Sequence, residues 1–493
     1  MGRMIRRLSR TGGILAAALL ASACATVPDA RPAPSLDAIE AGLARDIATL
    51  ASDDFAGRYP GTLGEAKTAG FIVQRFEALG LQPGMGEDDW TQEFTLVRRT
   101  PITDPSGTEA RVTRAGRSVT LEGVLGAHGG LDEPRLADVP MVGIAPDFDE
   151  LKRGSLVNRA LVLPAAEWPR RGRQLEQAEP RALVITTADR ESYESAARLF
   201  SQGRWRLESD HRATAYLLLT PEDSARIVTL IGPNADRHPD GLGVISYDTM
   251  LDATIAQEVE RIETANFVGR VPGRVEGAGA VLTLAHWDHL GEKCGRPDDE
   301  DRLCNGAVDN ASGIAMMLEA VRLALADGPL DRDLIVLATS AEELGLLGAE
   351  AFVSDPSVPL PTIAAAFNLD TMAVAPRGTP VVAVGAAETP LGYGISQVAR
   401  SLGREVVSGR QADAFLRRQD GWVFLREGVP AVWVTSTLAD DDAFRAFLEG
   451  PYHGAGDEVG EGLELGGAAE DTLLHAALLR YFGSLEKYPG GGG

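Results

Sequence analysis

Four apolar runs do most to limit what this chain can fold into: "GAVLTLAH" (279–286), "DLIVLATS" (333–340), "TIAAAFNLD" (362–370) and "VPAVWVTS" (429–436). None alternates apolar with polar residues. A strand of that kind needs cover on both faces, which is the condition of a parallel sheet between helices. Helical stretches separate the runs. "ASGIAMMLEAVRLALA" (311–326) sets Ile314, Met317, Leu318, Val321 and Leu325 on one face, and 346–354, 389–402 and 468–483 are predicted as further helices. The alternation predicts an α/β fold with a mostly parallel central sheet and helices on both faces. Such sheets bind ligands at the carboxyl ends of their strands.

The rest of the chain has a different rhythm. Leu36, Ile39, Leu43, Ile47 and Leu50 repeat at helical spacing, and a second helix is expected from about Glu65 to Leu79, with Gly80 as its stop. From 85 to 260 short apolar runs such as "RALVLPA", "RALVITTA" and "TAYLLLT" lie between Pro- and Gly-rich connections. This predicts an inserted β-rich domain with one or two helices. Its histidines, His128, His211 and His238, are scattered and read as surface or incidental. At 493 residues the chain exceeds one ordinary core. A net charge of −24, from 71 acidic against 47 basic residues, argues against nucleic acid as a partner.

The N-terminus reads as a processing segment. Arg3, Arg6, Arg7 and Arg10 precede an apolar run, Ile14 to Ala23, too short to span a bilayer as a stable helix. The run ends in "LLASAC", which resembles a bacterial lipoprotein signal with Cys24 as the acylated residue; ordinary cleavage within "ASACA" is the rival, and either exports the chain. A membrane would then be met only through an N-terminal lipid anchor, in the periplasm or on the outer membrane. Cys294 and Cys304 form an even pair, and in an exported chain such a pair suggests a disulfide. Zinc binding by the two is the weaker alternative, since no second thiol pair stands near.

Acids and imidazoles gather at the predicted strand ends. His286 ends one strand with Asp288 two residues on; "NGAVDNASG" brings Asp309; "LIVLATSAEE" ends in Glu342 and Glu343; "AAAFNLD" ends in Asp370; and "GPYHGAGDEV" brings His453. Singly these are weak signals, since acids at helix starts often serve only as caps or dipole partners. Together, two histidines and several carboxylates at one edge suit a divalent metal site, and the excess of carboxylates suits a hydrolytic metal pair. Two ions about 3.5–4 Å apart need a shared carboxylate, and an unligated acid must take the proton of a water. Adjacent Glu342 and Glu343 allow that division, because successive side chains near a strand end point in different directions.

These motifs resemble the M28 family of zinc aminopeptidases, in particular bacterial exported members with a protease-associated (PA) domain insert. "GRYPGTLGEAKTAGFIVQRFEALGL", "TANFVGRVPG", "AHWDHLG", "NGAVDNASG", "AEELGLLGA", "FNLDTM" and "YHGAGDEV" follow in the family's order. The resemblance implies a zinc-exopeptidase-like fold and two Zn2+ per chain. His286 and Asp370 would hold one ion and Glu343 and His453 the other, with Asp309 bridging. Glu342 would be the general base, and Asp288 would accept from the His286 ring. His289 would be structural or at the rim. The resemblance also implies a cis Asp309–Asn310 peptide and gives Tyr452 as a candidate to polarise the scissile carbonyl. One motif departs. "RRQDGWVFLREGVP" keeps Asp420, a candidate substrate residue, but has Gln419 and Gly421 where the family often has Ser and His. The expected organisation is a signal peptide (1–23), a tether (24–35), an N-terminal helical part (36–100), a PA-like insert (101–260), the catalytic core (261–487) and a flexible tail (488–493).

The function implied is removal of the N-terminal residue from a peptide substrate. A glutamate-carboxypeptidase-like enzyme on the same scaffold is the alternative, with Arg417 and Arg418 as candidates for its carboxylate pocket. A non-catalytic binding protein and a glutaminyl cyclase-like transferase are the alternatives of other classes. Side-chain preference, natural substrate, oligomeric state and native metal are not readable from the chain.

Overall fold

The structure is a computed structural model that describes residues 35–103, 107–132, 134–145, 151–210, 214–232, 243–294, 300–409, 412–460 and 462–490. The predicted signal peptide, Cys24, His211 and His238 lie outside the described residues.

The four apolar runs form strands β1 (Ala280–His286), β2 (Asp333–Thr339), β3 (Ile363–Asn368) and β4 (Ala431–Thr435), every residue of them buried except Asp333 at the start of β2. They lie side by side in the order β4-β3-β1-β2, all parallel. Both flanks turn antiparallel: Gln257–Val271 pairs with β2, and Val381–Val384 pairs with β4. The ten-stranded sheet is therefore mixed, with a parallel centre. Register aligns the strand ends, since His286 lies opposite Thr339 and Leu284 opposite Asn368. The residues that follow β1, β2 and β3 emerge together at one sheet edge.

Helix α1 (Ser312–Ala324) covers one face. Its sequence suggests a single apolar stripe, yet it is buried nearly all round, because Leu36–Leu50 and α2 (Gly466–Phe482) pack over it. Each such fully buried aliphatic side chain contributes roughly 1.5–3 kcal/mol. Leu347–Ser354 and Gly421–Arg426 cover the other face around Leu282, Leu337, Phe352 and Phe424. No helix among the described residues is long and apolar enough to cross a membrane.

A second, eight-stranded sheet runs from Glu109 to Thr254. Chain enters it from Thr91–Pro101 and returns through Gln257–Val271, two strands of the first sheet paired antiparallel from Gln257↔Pro101 to Phe267↔Thr91. The expected boundary at 260 thus falls inside a continuous strand. Among the described residues the second sheet carries three α-helices, where one or two were expected: Gly172–Ala178, Arg190–Ser201 and Pro221–Ile231. Arg190–Ser201 buries only Ala196 and Phe200, so it leaves almost no apolar period to read; its start is fixed by a capping box between Asp189 and Ser192. His128, read as surface or incidental, is not at the surface: it is 1% exposed, and its Nδ1 accepts from the backbone N–H groups of Gly130 and Leu131.

Candidate active site

The aligned strand ends bring the predicted acids and imidazoles together. His286 Nε2 lies 3.3 Å from Asp309 Oδ1 and 3.7 Å from Asp370 Oδ1. His453 Nε2 lies 3.3 Å from Asp309 Oδ2 and 3.0 Å from Glu343 Oε2. Asp309 therefore turns one oxygen toward each histidine. The peptide between Asp309 and Asn310 is cis. Ala341, Leu346, Thr371 and His453 all take positive φ beside these groups, a conformation non-glycine residues adopt at a cost of about 1–3 kcal/mol.

The donors fit metal ions. His286, Asp309 and Asp370 form one set and His289, Asp309 and Glu343 another, with the donor atoms of each set within 4.8 Å of one another. Ligands about 2.0–2.2 Å from a tetrahedral zinc ion lie roughly 3.3–3.5 Å apart, and the separations of 3.0–3.7 Å above match that spacing. The electrostatics also call for cations, because Asp309, Glu343 and Asp370 converge with histidines as their only ion-pair partners among the described residues.

Burial opposes the charge on Asp309, but His286 and His453 hold its carboxyl below the usual range. Burial pushes Glu342 well above that range; Asp370 and Glu343 add to the effect against the pull of His286. The His453 ring is raised to about 10 despite burial, by Asp309 and Glu343.

Residues around the donors fix their positions. Asp457 takes three successive N–H groups of the turn before α1: its carbonyl accepts from Ala307 at 3.1 Å, Oδ1 from Val308 at 2.8 Å and Oδ2 from Asp309 at 2.9 Å. Asn310 ties the ends of β1 and β3 to the turn before α1, donating to His286 O and Leu369 O and accepting from Thr371 N–H. The fully buried Arg58 donates to the carbonyls of Leu50, Trp287, Asn305 and Gly306. Gly306 has φ +59°, and a Cβ there would stand 2.1 Å from Asp309 O and 2.5 Å from the His289 ring, so only glycine lets these groups approach. A cleft of about 270 Å³ opens over the donors; Phe415, Trp433, Phe444, Leu448 and Tyr452 make its apolar wall, and Arg417 and Arg418 also line it. The disulfide Cys294–Cys304 ends in the loop before Asn305.

Residues 266–470 match the sequence pattern of Peptidase family M28. This region is an M28 peptidase domain. The chain is 24% identical over 315 residues to Aminopeptidase YwaD of Bacillus subtilis (strain 168), a match covering 61% of this chain and 55% of that protein, so the chain spans about half the length of this curated relative. Among solved structures, an aminopeptidase from Aneurinibacillus sp. strain AM-1 matches with 15% identity and a TM-score of 0.47 over 89% of this chain and 93% of that one. The zinc aminopeptidase BSAP from Bacillus subtilis matches with 17% identity and a TM-score of 0.46 over 89% and 94%.

Within the M28 domain Asp288 and Asp420 stand differently from the sequence expectation, and His289 takes the structural rather than the rim place. The Asp288 carboxylate does not bond the His286 ring: Oδ1 is 3.7 Å from Nδ1 and instead accepts from Glu342 N–H at 3.1 Å, while the ring faces the Asp288 carbonyl at 3.2 Å. His289, expected as structural or rim, is fully buried with Nδ1 2.6 Å from Glu343 Oε1. Asp420 is 1% exposed and accepts from Thr339 Oγ1, so it does not reach the cleft; burial pushes its carboxyl up to about 7. Gln419, in the departing motif, accepts from Gly421 N–H and Asn368 Nδ2, and so stabilises the turn where the family often has serine. Sequence reading missed Asp457 and Arg58. An acid four residues past His453 and an arginine before "YPGT" are the only signals, and neither spacing tells that the side chain folds back under the site.

Proposed function

We propose that this chain is an exported metallo-aminopeptidase that holds two zinc ions and hydrolyses the N-terminal residue from peptides. The observation that carries the reading is Asp309, with one carboxylate oxygen 3.3 Å from His286 and the other 3.3 Å from His453. His286 and Asp370 would hold one ion and Glu343 and His453 the other, with Asp309 offering a carboxylate oxygen to each. His289 fits a supporting place: its bond to Glu343 Oε1 leaves Oε2 for the metal beside His453. When bound, the two ions supply Lewis-acid chemistry, polarising the scissile carbonyl and acidifying water.

The chain's own groups do the rest. Glu342 lines the cleft, its backbone held by Asp288, and carries a proton from the attacking water to the leaving amine. The Tyr452 ring stacks on His453 with centroids 3.8 Å apart, which sets its hydroxyl to steady the carbonyl oxygen. The apolar wall receives the side chain of the residue removed. The second sheet corresponds to the PA-like insert, and a lipid on Cys24 would anchor the exported enzyme to the membrane.

The test is metal content and turnover of Glu342→Gln on an aminoacyl-anilide. Two metals per chain with turnover reduced roughly 10²–10⁴-fold is the expected result; undiminished turnover sinks the proton-carrier role. A second reading, a carboxypeptidase, is favoured by Arg417 and Arg418 at the cleft. Cleavage of an N-blocked dipeptide but not the anilide selects it instead.

A further inference from the structure

We propose that the cavity between the second sheet and the strands Thr91–Pro101 and Trp205–Leu207 of the first is a binding site for a small organic anion with an aromatic or branched apolar body, separate from the carboxylate cleft. The site is a cavity of about 890 Å³, far larger than the 270 Å³ cleft and sharing no lining residue with it. That volume lies within the range of small-molecule pockets, about 300–1,000 Å³.

Its lining has two chemistries. Trp168, Phe200 and Tyr216 form an aromatic triangle on one wall, with ring centroids 6.1–6.5 Å apart. At the rim Leu199 is 62% and Val157 47% exposed, which puts apolar surface in water at the mouth. Four arginines, Arg99, Arg181, Arg204 and Arg206, line the same cavity against two acids, Glu179 and Asp210. In a chain of net charge −24 a cationic concavity is out of keeping with the surface around it.

The arginines differ in what they have left to give. Arg99 is fixed by Asp132 at 2.9 Å and by Gly129 O, and Arg206 faces Asp210 at 3.4 Å. Arg204 is exposed and forms no ion pair among the described residues. A guanidinium is a planar fork suited to carboxylate or sulfonate, and an aromatic wall suits a flat apolar body. The lining holds four guanidinium groups against two carboxylates, which disfavours an ammonium ligand, and a purely apolar one would leave the exposed Arg204 without a counter-charge.

The probe is 8-anilinonaphthalene-1-sulfonate, titrated into the full chain by calorimetry and fluorescence. One site per chain is expected. Arg204→Glu and Leu199→Glu, both at exposed positions where folding is undisturbed, are each expected to weaken it roughly tenfold. N-phenyl-1-naphthylamine, the same body without the sulfonate, is expected to bind at least as much more weakly. Glu342→Gln, in the separate cleft, is expected to bind the probe like the wild type. Unchanged affinity in both rim variants, or equal binding of the neutral amine, overturns the proposal. Because the readout is binding, it is independent of whether the peptidase reading holds.

Discussion

Arg58→Met removes the guanidinium that joins three segments beneath the candidate active site. In the structure Nε donates to Trp287 O at 2.8 Å, one terminal nitrogen to Leu50 O at 2.8 Å and Asn305 O at 2.5 Å, and the other to Gly306 O at 2.9 Å. At roughly 1.5–3 kcal/mol for each bond from a charged donor, the four are worth roughly 6–12 kcal/mol. An opposing effect is that burial lowers the Arg58 pKa to about 10 from 12.5, although Asp457, Asp288, Asp309 and Glu343 pull it up; that net shift corresponds to about 3 kcal/mol against the charged side chain, which methionine relieves. The hydrogen bonds win, and a net loss of at least about 3 kcal/mol is expected against a total stability of about 5–15 kcal/mol. Arg58→Lys keeps the charge but reaches fewer carbonyls, and is expected to lose about half as much. Urea unfolding followed by circular dichroism, with a chelator present in every sample, reads the difference without a contribution from metal. A methionine variant within about 1 kcal/mol of the wild type refutes the reasoning; it would mean that water or rearranged backbone replaces the four bonds.

Three further outcomes are expected. Asp457→Ala strands the N–H groups of Val308 and Asp309, and zinc affinity measured by chelator competition is expected to fall roughly 10–100-fold; unchanged affinity would mean that Asp309 holds its place unaided. Gly306→Ala forces a Cβ to within 2.1 Å of Asp309 O at φ +59°, and is expected to lower stability by at least about 1–3 kcal/mol, visible as a lower melting temperature. His475 lies under the sheet with Nε2 donating to Val434 O at 2.8 Å, and burial lowers its pKa to about 4 from 6.5. The native state therefore binds fewer protons than the unfolded one. The contribution of His475 is fully present above pH 6.5 and falls with pH toward 4, by about 2 kcal/mol between pH 7.5 and 5. His475→Gln is expected to flatten that part of the urea-midpoint profile relative to wild type; parallel profiles would contradict it.

Part of the site is legible in the chain because the chemistry is local to strand ends. His286, Glu342, Glu343 and Asp370 each follow an apolar run by at most three residues, and a parallel sheet collects such ends at one edge. Asp288 shows the limit. Two residues past His286, it is near enough in sequence to suggest a bond to the ring, but the backbone turns so that its carboxylate meets Glu342 N–H and its carbonyl meets the ring. His289 shows the same limit in the other direction, since three residues of spacing cannot tell rim from interior.

By itself the sequence determined the α/β class, the central strands and the set of acids and imidazoles at their ends, because buried-strand patterning and residue type are properties of short segments. Only the tertiary structure decided which side chains stand behind that set. Asp457 reaches back to the turn before α1, Arg58 crosses from the N-terminal helices to Asn305, and arginines of the first sheet close with residues of the second around one cavity. Such contacts join residues up to about two hundred and fifty positions apart. Their partners are mostly backbone groups, which every residue carries, so no pattern of side chains in one segment can announce them.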